Sequence, residues 1–75
     1  MSDRLPSLRA RDLEKVLKRM GFFSVRQKGS HVFFKHPDGR TTLVSQHGDE
    51  EIGRGLLRQI LREINVSSEE FSKYL

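Results

Sequence analysis

Phe23-Ser24-Val25-Arg26-Gln27-Lys28-Gly29-Ser30-His31-Val32-Phe33-Phe34-Lys35 is the stretch that decides the fold. Phe23 and Val25 alternate with Ser24 and Arg26, and this period of two marks a strand running to about Lys28. Gly29-Ser30 supplies a short turn, and His31 through Lys35 reads as the returning strand of a hairpin. Alternation along that second strand turns Val32 and Phe34 towards the helices and gathers His31, Phe33 and Lys35 on the opposite face.

Upstream of the hairpin the period changes. Leu13, Val16, Leu17 and Met20 fall at i, i+3, i+4 and i+7, which places them on one face of a helix beginning near Ala10. Asp12 with Lys15, and Glu14 with Lys18, are spaced acid-first to support it. Gly21 stands where a left-handed residue closes a helix. Downstream, His36-Pro37-Asp38-Gly39 has the composition of a tight turn, and Thr41 to Gln46 reads as a third strand ending at His47-Gly48. After an acidic loop, Asp49-Glu50-Glu51, a second helix shows in Leu57, Ile60, Leu61 and Ile64, with Leu56 widening the stripe. Ser67-Ser68-Glu69-Glu70 has the form of a capping box and predicts a short last helix through Phe71 and Tyr74. The expected fold is α+β: an α-β-β-β-α order with a three-stranded antiparallel sheet, one face buried beneath two helices, and a short C-terminal helix. This order resembles that of the double-stranded-RNA-binding domain.

Residues 1–75 read as a single small domain, and a chain of this size supports only one modest core. The absence of cysteine removes disulfides and thiolate metal sites as supplements. No apolar run approaches a membrane span and no secretory leader shows at the N-terminus, so a cytoplasmic protein is expected. The net charge of +4 is uneven: residues 1–47 carry ten bases against four acids, while residues 48–75 carry four against six. A basic N-terminal two-thirds suits a polyanion, as solubilising surface charge also would.

No glycine-rich phosphate loop or thiol nucleophile is present, which leaves three histidines as candidates for chemistry: His31, His36 and His47. His31 and His36 fall on opposite faces by parity and do not converge as metal ligands, so neither a metal nor another cofactor is expected. His31 follows the turn directly, with Lys28 and Lys35 near it in sequence. Imidazole exchanges protons near neutral pH, and cations steady charge building on a phosphate. Those are the parts needed to cleave RNA through its own 2′-hydroxyl. A hydrogen-bonded or solvated surface histidine is the plainer reading of the same residue.

Gly29-Ser30-His31, the aromatic strand after it and His36-Pro37-Asp38-Gly39 together resemble the signature of the HicA toxins. So do Arg19-Met20-Gly21-Phe22 before it, and His47-Gly48 and Gly55-Leu56-Leu57-Arg58-Gln59-Ile60-Leu61 after it. The resemblance runs from about Leu8 to Leu75. It implies a double-stranded-RNA-binding-like fold, ribosome-independent and metal-independent cleavage of mRNA, and neutralisation by a cognate HicB antitoxin. The histidine of the Gly-Ser-His motif, the catalytic one in that family, corresponds to His31. The chain departs from many relatives in having Gln46 rather than proline before His47 and Leu56 rather than threonine after Gly55. Its loop at Asp49-Glu50-Glu51 is acidic where relatives are often basic. These departures bear on RNA affinity, cleavage preference and the role of His47.

Lys28, Ser30 and Lys35 around His31, with Arg11, Lys15 and Arg58 on the helices, are the expected RNA contacts; for the last three taken singly a solvated helix face is the plainer reading, and an antitoxin interface is a third use of the arginines. Lys28 and His47 are both open as the general acid. Phe33, on the His31 face, is suited to stack a base, but packing beneath the terminal helix and anchoring the antitoxin account for it better. The free toxin is expected to be a monomer. A non-catalytic RNA-binding module is the competing function, and a pure protein-interaction domain a third.

Overall fold

The computed structural model describes residues 5, 7–45 and 48–75. Its elements run β1 (Leu8–Arg9), α1 (Ala10–Arg19), β2 (Phe23–Lys28), β3 (His31–Lys35), β4 (Thr41–Val44), β5 (Glu51–Ile52), α2 (Arg54–Glu63) and α3 (Ser68–Ser72). The expected α-β-β-β-α order is present, with α3 closing the chain.

Neither α1 nor α2 has a side-chain hydrogen bond at its N-cap, and both close on backbone hydrogen bonds. α1 has no side-chain cap at Arg9. Instead the N–H groups of Ala10 and Arg11 donate to the carbonyls of Glu50 and Gly48, at 2.9 and 3.1 Å. At the other end Gly21, with φ +102°, donates to the Lys18 carbonyl, and Phe22 donates to that of Leu17. This pair of bonds is a Schellman closure, with the buried Phe22 covering the last turn. α2 ends in the same way, with Asn65 in the left-handed position and Val66 reaching back to Leu61.

The sheet order is β2-β3-β4, antiparallel throughout. Val32, Phe34, Thr42 and Val44 face inward onto Leu13, Val16 and Leu17 of α1 and Leu57, Ile60 and Leu61 of α2. Thr42, the polar residue of these four, donates to Glu63 Oε1 at 2.8 Å. β2 is an exposed edge strand along its whole length. A bulge at Val25 shifts its register, so Phe23 lies opposite Lys35 while Arg26 and Lys28 lie opposite Phe33 and His31.

Three expectations need correction. The third strand stops at Val44, with Ser45 outside it and Gln46 beyond the described residues. Glu51 is not loop: it pairs with Arg9 in a two-stranded sheet that joins β1 to β5. Phe33 does not lie beneath the terminal helix. α3 packs on α2 through the buried Phe71, and Arg19 Nη1 bonds the Tyr74 carbonyl at 2.9 Å, so the chain end stays on the helical side. Phe33 stays 40% exposed on the far face of the sheet.

Candidate nucleic-acid interface

The β2–β3 hairpin builds the site. Gly29 takes φ +61°, a left-handed turn conformation that glycine accepts without strain, and the chain reverses in two residues. The reversal sets Lys28 directly opposite His31, both exposed on the outer face of the sheet, with Ser30 at the turn. Arg26 follows Lys28 on that face, and its guanidinium carbon stands 5.8 Å from the centroid of the Phe33 ring. Lys35 shares the face but lies four residues along β3 from His31, roughly 13 Å at the strand rise. Lys28, Ser30 and His31 are therefore brought together, and Lys35 marks the far end of the same surface.

Arg26 did not stand out in the sequence. The signal was there in its spacing from Lys28, since i and i+2 on a strand share a face.

The remaining expected contacts lie in the helical layer. Arg11 forms an ion pair with Asp49, and Arg9 Nη1 holds the Asp49 carbonyl at 2.8 Å. Lys15 is exposed on the side of α1 away from the sheet, beside a groove formed with Asp12, Arg19 and Leu75. Arg58 is exposed on α2 near Leu5, Arg62 and Ser68. The acidic segment thus braces the N-terminal one: besides Asp49, Glu51 of β5 accepts from the Ser7 hydroxyl at 2.8 Å.

His36 is structural. Its Nδ1 stands 3.1 Å from both the Asp38 N–H and the Asp38 carboxylate oxygen Oδ1, and its Nε2 lies 3.2 Å from the Met20 carbonyl. The ring meets Phe22 edge-on at 5.0 Å. It points to the helical side of the sheet, away from His31. His47 lies outside the described residues. Among the described residues there is no group of three or more potential metal ligands, and no helix is long and apolar enough to cross a membrane.

The two helices are aligned with this arrangement. Met20 at the end of α1 meets His36, while Glu63 and Ile64 at the end of α2 meet Thr42 and Arg40. Both C-termini therefore sit at the His36 end of the sheet, and both N-termini at the hairpin end. The positive ends of two helix dipoles and the cationic hairpin share one end of the molecule.

A small α+β protein of double-stranded-RNA-binding-like arrangement, its solvent-facing sheet surface basic and aromatic, is the class these features define. The family model for the HicA toxin of bacterial toxin-antitoxin systems matches residues 10–66, and the chain belongs to that family. It is thus a toxin of a toxin-antitoxin system, with that system's antitoxin as its partner. No curated protein matches the chain.

Proposed function

We propose that the protein is a metal-independent endoribonuclease that cuts mRNA in the cytoplasm, with His31 as its catalytic residue. The observation that carries this reading is the register of the hairpin, which sets Lys28 directly across from an exposed His31 on a face whose other charged residues are cations. In the reaction the imidazole removes the proton of a ribose 2′-hydroxyl, and the oxygen attacks the adjoining phosphorus. The P–O5′ bond breaks and the departing O5′ takes a proton from water, while the His31 imidazolium returns its own to solvent, leaving a 2′,3′-cyclic phosphate and a 5′-hydroxyl. Lys28 steadies the negative charge that builds on the phosphoryl oxygens, and Lys35 and the Ser30 hydroxyl contact the flanking chain. Arg11, Lys15 and Arg58, set back in the helical layer, meet RNA only where it leaves the sheet. A HicB-type antitoxin silences the activity, and the free toxin is a monomer.

The test is cleavage of a long single-stranded RNA in EDTA by the wild type and His31→Ala. Loss of one general acid–base group lowers the rate by about 10²–10⁴-fold. Because His31 is exposed, the variant should melt within a few degrees of the wild type. Salt-sensitive binding without cleavage by either protein would sink the enzyme reading and leave an RNA-binding module.

A further inference from the structure

The outer face of the sheet carries more apolar surface than proton transfer at His31 uses. Phe23, Val25, Phe33 and Leu43 are 46%, 52%, 40% and 36% exposed. Large exposed apolar groups gathered on one face mark a binding surface rather than chance. The charged residues among them are Arg26, Lys28 and Lys35, all cations. The Glu63 carboxylate stands at the β4 margin, where it accepts from Thr42.

A recess of about 180 Å³ opens in this face, lined by Val25, Arg26, Phe33, Phe34, Lys35 and Thr41. Its lining combines three apolar side chains with two cations and a threonine. The bulge at Val25 makes the recess, because it moves that edge of β2 out of regular pairing with β3.

We propose that this recess is a nucleobase subsite which restricts the protein to unpaired RNA: one base stacks on Phe33 beside Arg26, and the adjoining phosphate lies at Lys28 and His31. The proposal rests on the RNA-cleaving reading of His31 and names the form of RNA that the site takes. His31 and Phe33 are two residues apart on one strand face, about 7 Å. That spacing is comparable with the step between neighbouring nucleotides in an extended strand. A base offers its flat side to an aromatic ring only when it has left the helical stack, so a duplex cannot enter. A protein partner is the poorer fit, since lysine is depleted in the cores of such interfaces and this face sets two lysines beside its aromatic residues.

The test uses the full chain carrying His31→Ala, so that RNA stays intact, and measures the anisotropy of labelled oligouridine against a blunt RNA duplex. In that background Phe33→Leu keeps the apolar bulk at an exposed position but removes the ring face. It should weaken oligouridine binding by about 5- to 150-fold, the range of a lost base–aromatic stack. Phe33→Trp should hold or tighten it, and the duplex should bind more weakly than oligouridine and be indifferent to either change. Unchanged affinity in Phe33→Leu, a preference for the duplex, or no binding of oligouridine would each overturn the subsite. Cleavage in EDTA by the chain with His31 intact judges the nuclease separately, so a working nuclease whose Phe33→Leu variant binds normally discards the subsite alone.

Discussion

Gly21 is fixed by two independent constraints. Its φ of +102° is a conformation that side chains resist, and a Cβ built there would stand 2.9 Å from His36 Nε2. Gly21→Ala should therefore strain the backbone and push the imidazole from the Met20 carbonyl, a loss of about 1–3 kcal/mol. Gly55 is the contrasting case, with an ordinary φ in the first turn of α2 and nothing near an added methyl group. Gly55→Ala should stabilise by about 0.5–1 kcal/mol. Urea unfolding of the two variants gives both signs in one experiment. Asp38 adds a pH dependence in the same corner. The Arg40 N–H bonded to its carboxylate lowers its pKa, desolvation opposes this, and the Arg40 guanidinium and His36 lower it further. A depressed carboxyl pKa contributes stability above about pH 4 and loses it as pH falls through the folded value. Asp38→Asn should flatten that acid limb of a melting-temperature profile.

α3 separates the cap from the anchor. The Ser67 oxygen accepts the Glu70 N–H at 3.0 Å, so Ser67→Ala should remove about 1 kcal/mol. Phe71 has no exposed surface, and Phe71→Ala should cost about 3–5 kcal/mol, since it opens a cavity where α3 joins the core. A chemical melt in which the two variants lost equal stability would mean that the cap, rather than the packing, holds the tail. The cap, the anchor, both main helices and all three strands were legible because each is written in local spacing. β1 and β5 were not, since two-residue strands more than forty positions apart leave no periodic trace. The Val25 bulge was equally silent: simple alternation puts Phe23 and Val25 on one face, whereas the extra residue brings Phe23 round beside Lys35. The site shows the same division. His31, Lys28 and Ser30 lie within one hairpin and could be read from it. The ties of Arg11 to Asp49 and of His36 to Met20 join distant segments and appear only once the chain is folded.

At the scale of the molecule, the charged residues of the outer sheet strands are cations, while the helices carry both signs. Arg26, Lys28 and Lys35 share the outer sheet face, whereas Asp12, Glu14, Glu69 and Glu70 belong to helices. A strand of RNA drawn to the outer face meets these cations, with the Glu63 carboxylate standing at its β4 margin. Each phosphate neutralised on single-stranded RNA releases counterions and contributes about −0.7 to the slope of log affinity against log salt. Three sheet cations therefore set a slope of about −2 for unpaired RNA bound by the His31→Ala protein. Lys35→Gln should reduce its magnitude by about 0.7, while Lys15→Gln, on the far side of α1, should leave it unchanged. The distinction is one of path rather than strength. If RNA lies only along the sheet, the two lysines separate cleanly in a titration across salt concentrations. Equal reductions would instead require the strand to pass around the edge of the protein onto α1, where Asp12 and Glu14 stand beside Lys15 and would oppose it.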